Sequence, residues 1–240
     1  MNIVIVGLGG IGSNLVSHLC QYLEYDKISD NSFVTVMLVD GDTYSVSNMT
    51  RQETNGISGI GKNKADVTLE RLKNKFSKVR FLSQSSYLTF ENIDDIIIND
   101  SIIFLCVDNH ATRNMVSEHC ENLNNVVLIS GGNELYTGNV QVYIRKDGQD
   151  VTASLTDYHK EILNFEDKNP ADMSCEEMAV AGTPQMLFTN LSIATNMLWM
   201  FYYITQNIIS ENENIVGELY LDFYPKPAML AKTRKPLKRR

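Results

Sequence analysis

No C-x-x-C pair occurs among the four cysteines of this 240-residue chain, which excludes both a disulfide scaffold and a four-thiolate zinc site. Cations are in deficit: 21 Lys and Arg face 29 Asp and Glu, a net charge of −8, and a general nucleic-acid coat would need the opposite balance. Long uninterrupted apolar runs are missing too. The most apolar stretch, Met186–Ile209, is broken by Asn190, Ser192, Thr195 and Asn196, so it reads as a packed helix and not as a membrane span. No cationic leader precedes the first strand-like run, and no repeat or low-complexity tract is present, so a cytoplasmic protein is expected. What remains is an ordinary globular composition, 43 % apolar and 21 % charged, at a length one α/β domain can fill.

Periodicity gives strands and helices in alternation. Asn2–Val6 and Phe33–Val39 are short β-branched runs, and between them Ile11–Tyr25 carries Leu15, Val16, Leu19 and Leu23 at helical spacing. A second helix is expected over Asn63–Lys75 and a third over Ala111–Glu121, with strands at Val79–Leu82, Ser101–Val107 and Val126–Ser130. This rhythm implies right-handed crossovers and a mostly parallel sheet with helices on both faces. After Gly131-Gly132 the pattern changes to alternating strands at Gly138–Arg145 and Gly217–Tyr224. The polar segment Lys146–Thr183 lacks a clear period and is expected to cross over the active site. The last nine residues hold six of the 21 cations; the readings are a solvated end, a docking surface for an acidic partner or, last, a nucleic-acid contact.

The chemistry is concentrated near the start. Gly7-Leu-Gly9-Gly10-Ile-Gly12-Ser13 joins the first strand to the first helix as G-x-G-x-x-G, where phosphate oxygens can approach N–H groups at a helix N-terminus. Asp40 closes the second strand, placed to accept from ribose hydroxyls. These features suit a dinucleotide as well as ATP. The residues that divide the two follow: Asp42, then Asn48-Met-Thr-Arg51-Gln52, then Lys64. An Arg and a Lys between the second strand and the next helix can offset the charge of departing pyrophosphate, for which a nicotinamide enzyme has no use. Asp108, after the strand Ser101–Val107, can hold Mg²⁺ or accept from a substrate group. Each also has a plainer reading: a loop salt bridge for Arg51, a solvated helix residue for Lys64, a helix N-cap for Asp108.

In combination, Gly-x-Gly-Gly-x-Gly-Ser, Asp40-Gly-Asp42, Asn48-x-x-Arg51-Gln52, Lys64 and Asp108 resemble the adenylating domain of the ThiF/MoeB/HesA family, which includes the adenylation domains of ubiquitin-activating enzymes. The resemblance runs from Met1 to about Gly132 and continues more loosely through Met173–Met197 and Gly217–Tyr224. It implies a Rossmann-like sheet of parallel strands finished by antiparallel ones. As a single domain, this would comprise an ATP-binding half (1–132), a crossover loop with a long helix and antiparallel strands (133–224) and a basic tail (225–240). It also implies attack of a protein C-terminal carboxylate on the α-phosphate of ATP. By this match Gly9, Gly10 and Gly12 line the phosphates, Asp40 binds the ribose, Asn48, Arg51 and Lys64 steady the triphosphate, and Asp42 and Gln52 belong to the nucleotide-binding motif. Asp108 would serve Mg²⁺. The partner would be a ubiquitin-like or sulfur-carrier protein supplied in trans, with a homodimer or heteromer by family analogy. The zinc-binding C-x-x-C pairs usual in MoeB and ThiF are missing, and an arginine that many members donate from the neighbouring subunit would have to come from elsewhere, since the first Arg here is Arg51.

Four features complete the reading. Cys175 stands in a polar stretch ahead of the long helix, and related enzymes use such a Cys to capture the activated carboxyl. The flanking Glu176 and Glu177 oppose thiolate formation, so a structural role stays open beside the covalent one. Cys20, Cys106 and Cys120 read as small core residues, and Trp199, Phe201, Tyr202 and Tyr203 as core rather than a nucleotide stack, with a subunit interface open for part of that face. The four histidines show no metal-ligand spacing. The competing functions are a nicotinamide-dependent oxidoreductase, adenylation of a peptide or tRNA substrate on the same fold, and a non-catalytic scaffold.

Overall fold

In the computed structural model, which describes residues 1–25, 34–173, 185–206 and 216–237, the first strand divides its side chains between two cores. On β1 (Asn2–Val6), Ile3 and Ile5 join one core while Val4 and Val6 join the other. A strand covered on both faces has no polar side to show, which is why the run is uninterruptedly apolar. Parallel to it lie β2 (Val34–Val39), β3 (Val79–Gln84), β4 (Ser101–Leu105) and β5 (Val126–Asn133), in the order β3-β2-β1-β4-β5. The sheet is then finished by antiparallel strands. β6 (Thr137–Lys146) returns along β5 and carries the two-residue β7 (Gln149–Asp150). β8 (Val216–Asp222) pairs with β6, and β9 (Ala228–Thr233) pairs with β8 at the edge.

On one face pack α1 (Gly10–Tyr25), α2 (Lys64–Leu72) and α7 (Leu187–Thr205), through Leu15, Leu19, Ala65, Leu72, Met197 and Phe201. The other face is covered by α3 (Ile93–Ile96), α4 (His110–Glu121), α5 (Leu155–Tyr158) and α6 (Lys160–Leu163). α7 approaches the sheet closely: a Cβ on Gly131 would sit 2.3 Å from Met197 Sδ, and one on Gly138 2.5 Å from Ile193 Cδ1. Those glycines set the distance between helix and sheet.

The alternating pattern read from the sequence is therefore the fold, with four corrections. The second helix stops at Leu72, short of Lys75. The polar segment Lys146–Thr183, expected as a crossover loop, holds β7, α5, α6 and a 3-10 turn at Pro170–Asp172 over its described part, each too short to show a period. The basic end is not simply a tail, because Ala228–Thr233 adds a strand. Of the aromatic group on α7, Phe201 is core at 1 % exposure, but Trp199 and Tyr202 are 50 % and 36 % exposed. Among the described residues no helix is long and apolar enough to cross a membrane.

Candidate active site

The strand order reverses between β1 and β4, and ligands of open α/β sheets collect in the crevice that such a reversal leaves at the carboxyl edge. The glycine loop opens onto it. Gly7 has φ of +88°, and a Cβ there would lie 2.9 Å from the Cys106 carbonyl oxygen. A Cβ on Gly12 would lie 2.0 Å from the Gly7 carbonyl oxygen. Both contacts are with backbone, which cannot turn aside, so the loop folds this tightly only with glycine. At Gly9 the nearest outside atom, Gln52 Nε2, is 4.0 Å from a Cβ position, which leaves that side of the α1 N-terminus open. Free N–H groups and the positive end of the helix dipole then face the crevice.

Asp40 follows β2 and is buried, at 8 % exposure. Its two carboxylate oxygens accept from the Leu8 N–H at 2.6 Å and the Asp42 N–H at 2.8 Å. The carboxylate thus ties the glycine loop to the end of β2. Burial pushes its pKa up, opposed by the charge of Lys64 and by those two N–H donors. Lys64 is delivered by a local device: Asn63 caps α2, its Oδ1 accepting from Ala65 N and Asp66 N, while its Nδ2 donates to the Asp40 carbonyl at 2.8 Å. That places the buried Lys64 ammonium 2.5 Å from Asp42 Oδ2. Asp40, Asp42 and Lys64 are one cluster.

The 46–54 segment packs along α1 on the β2 side. Glu53 holds it there, accepting from Ser17 Oγ at 2.6 Å and pairing with Arg71 at 2.5 Å, while its N–H donates to Ser13 Oγ. Asn14 Nδ2 donates to both the Gly10 and the Arg51 carbonyls, which fixes Arg51 beside the helix start. Arg51 Nη1 donates to the Ser47 carbonyl at 3.1 Å, and its buried Nε has no partner among the described residues. Gln52 is buried next to Gly9 with its Oε1 equally unpartnered. Asn48 Oδ1 accepts from Ser45 N at 3.0 Å and shapes the turn.

A cradle of backbone N–H groups, a buried lysine and an arginine with an unused donor fits a polyphosphate. Hydride chemistry would leave these cations without a task. A ThiF family model matches residues 1–219 of the chain. The chain belongs to the ThiF family.

Two curated relatives are adenylyltransferases by name. The adenylyltransferase and sulfurtransferase uba4 of Pyricularia oryzae is 31 % identical over 119 residues, 50 % of this chain and 22 % of that protein. The molybdopterin-synthase adenylyltransferase of Escherichia coli K12 is 26 % identical over 147 residues, 61 % of this chain and 55 % of its own length. The chain therefore spans about a fifth of the first relative and about half of the second. The solved structure of E. coli MccB with MccA-N7isoASN superposes with a TM-score of 0.74 at 16 % identity, over 98 % of this chain and 64 % of that one, so the two share a fold.

Within this ThiF fold Asp108 stands just past β4, across the reversal from the glycine loop, exposed and without a hydrogen bond or ion pair among the described residues. It does not cap α4; Asn109 does, accepting from Thr112 N. Mg²⁺ uses one or two carboxylates together with phosphate oxygens and water, and Asp108 fits that donor set. No group of three or more His, Cys, Asp or Glu that could hold a metal occurs among the described residues. Three supporting residues escaped the sequence reading. Arg113, 6 % exposed, donates to Ser130 Oγ, the Val107 carbonyl and the Gly131 carbonyl, and so joins the ends of β4 and β5 below Asp108. Asp167 reaches back from the polar segment to accept from His110 N and Ala111 N, at 2.6 and 2.8 Å. Tyr87 lies over Gly41, and burial together with the charges of Asp42, Asp40 and Asp108 pushes its pKa up to about 12. Cys175 lies outside the described residues.

Proposed function

We propose that this protein is an ATP-dependent adenylyltransferase that activates the C-terminal glycine carboxylate of a ubiquitin-like or sulfur-carrier protein supplied in trans. The observation that carries the proposal is the convergence of the glycine cradle, the buried Lys64 and the unused Arg51 donor on one side of the α1 N-terminus. ThiF membership and the activities for which the two relatives are named support it. A carboxylate oxygen attacks the α-phosphorus of the substrate ATP. The bond to the bridging oxygen breaks, and pyrophosphate leaves with the electron pair. Arg51, Lys64 and the helix N-terminus take up the charge that builds on the leaving group. Asp40 holds the loop and accepts from the ribose through its remaining lone pairs. Asp108 would hold Mg²⁺, which would supply charge neutralisation on the phosphates. A reducing, cytoplasmic setting agrees with the free, buried Cys20, Cys106 and Cys120. The half-exposed Trp199 suits a second subunit, either a copy of this chain or a partner.

The test is ATP–pyrophosphate exchange with a panel of recombinant ubiquitin-fold proteins ending in Gly-Gly. Exchange that requires one of them supports the reading. Exchange driven instead by a short peptide or a tRNA moves the substrate class, and nucleotide binding without exchange makes the chain a scaffold. The same assay reads Cys175. Attack of its Sγ on the acyl carbon would release AMP and leave a thioester, seen as a thiol-labile conjugate that Cys175→Ala loses while exchange persists.

A further inference from the structure

α7 carries six Ser, Thr and Asn side chains; Thr205 Oγ1 donates to the Phe201 carbonyl, and three more are absorbed in the same way. Ser192, Thr195 and Asn196 donate to the Phe188, Leu191 and Ser192 carbonyls one turn back, at 2.8, 2.8 and 2.9 Å. Asn190 is the exception. It has no exposed surface, and neither its Nδ2 nor its Oδ1 has a partner among the described residues. A buried carboxamide left unsatisfied on both atoms weakens the fold and calls for a reason. Its position supplies one: the amide rests on Gly10, where a Cβ would fall 2.0 Å from Nδ2 and 2.9 Å from Oδ1. The neighbouring Thr189 Oγ1 donates to the Leu135 carbonyl at 2.8 Å and fixes that turn of helix against the β5–β6 connection.

The side of the loop matters. α1 is flanked by the 46–54 segment towards β2 and by α7 towards β5 and β6. Arg51, Gln52 and Lys64, the groups suited to the leaving pyrophosphate, all belong to the β2 side. In phosphoryl and nucleotidyl transfer the entering and leaving oxygens lie roughly in line across the phosphorus. The carboxylate must therefore arrive from the α7 side, where Asn190 stands. A carboxamide presents two N–H donors and one acceptor. A phosphate would use only the donors and a metal ion only the oxygen. The end of a peptide uses both, since its carboxylate accepts and its last N–H donates.

We propose that Asn190 binds the C-terminal residue of the protein substrate, Nδ2 donating to the carboxylate and Oδ1 accepting from the last peptide N–H. This rests on the adenylation reading and assigns a residue to its acceptor side. Because Asn190 is covered in the unliganded chain, the contact needs a rotation of its side chain past Gly10, which the missing Cβ there permits.

The experiment compares wild type, Asn190→Ala and Asn190→Asp, using the Gly-Gly-terminated protein from the panel that drives exchange. Asn190→Ala should raise the KM for that protein tenfold or more and leave the KM for ATP within twofold. Its unliganded melting temperature should be no lower than that of wild type. Asn190→Asp should be worse still, because its charge repels the incoming carboxylate. Should Asn190→Ala fold poorly, Asn190→Ser carries the same comparison. Unchanged kinetics in the Ala or Ser variant overturn the assignment, as does a rise confined to the KM for ATP. A folded wild type that exchanges with no Gly-Gly protein overturns the carrier-protein reading and the assignment with it. An active wild type with an equally active Ala variant overturns the assignment alone.

Discussion

Replacing Lys64 with alanine separates what this side chain does for the fold from what it does for the reaction. Its ammonium is 2.5 Å from Asp42 Oδ2, with the Lys64 side chain 7 % exposed and that of Asp42 51 % exposed. It is also the main charge lowering the pKa of the buried Asp40, against the effect of burial. Breaking a fully buried pair costs ~3–5 kcal/mol, and with one partner half in water we take about 1–2 kcal/mol. For a chain of this size that lowers Tm by about 2–8 °C. The effect on reaction is larger: a lost charge-assisted contact to the leaving group costs ~3 kcal/mol, at least a hundredfold in exchange rate. The comparison variant is Asp42→Asn, which breaks the same pair and keeps the lysine. Exchange should fall by no more than about tenfold there, because Lys64 still reaches the phosphates. The assay is pyrophosphate exchange beside a melting curve for each variant. Exchange within threefold of wild type in Lys64→Ala would refute the reasoning, as would an Asp42→Asn variant equally inactive.

At Gly12, alanine should be more damaging to the fold than at Gly9, since its Cβ would meet a backbone oxygen at 2.0 Å while Gly9 has nothing closer than 4.0 Å. We expect a loss of ~3 kcal/mol or more for Gly12→Ala and under ~1 kcal/mol for Gly9→Ala, read by denaturant unfolding. Cys20 and Cys106, with thiol pKa values pushed up to about 12 by burial, and Cys120, pushed up for the same reason, should resist iodoacetamide in the native chain at pH 8; peptide mapping would show any label on them. His159, between α5 and α6, and Glu218 on β8 make a pH-dependent clasp, their atoms 2.5 Å apart, with Arg234 on the second Glu218 oxygen at 2.7 Å. The Glu218 bond raises His159 above 6.5, so its contribution is full below pH 6.5 and fades as pH rises through the raised value. Burial pushes Glu218 up, but the His159 and Arg234 bonds outweigh it and leave it below 4.5, so its contribution is full above pH 4.5 and fades on acidification. The Tm difference between wild type and His159→Phe should therefore be largest between pH 4.5 and 6.5; a flat difference would contradict this.

What is legible in the sequence is what repeats locally. β1 to β5 and α1, α2, α4 and α7 carry enough consecutive apolar positions to show a period of two or 3.6, or to read as buried runs. The glycine loop is legible because Gly7 and Gly12 tolerate no side chain. α5 and α6 have four residues each and show no period, and β9 is exposed on both faces, so its apolar Met229 and Leu230 do not alternate with polar residues. At the site, Asp40, Arg51 and Lys64 stand at fixed offsets from strands and can be placed by counting. Asp167 reaches α4 across 57 residues, and Asn190 meets Gly10 from the far side of the chain. Neither has a local partner that would mark it.

The capping of α4 by Asp167 bears on the order in which this protein is made. A ribosome delivers the glycine loop, Arg51, Lys64 and Asp108 within the first 108 residues, so a nascent chain carries most of the recognisable motif long before it carries the residues that finish the site. Asn109 caps the helix behind Asp108 as soon as it forms, but the His110 and Ala111 N–H groups wait for residue 167, and the acceptor side of the loop for residue 190. Contacts of such sequence separation form late, because closing the intervening chain costs entropy before anything is gained.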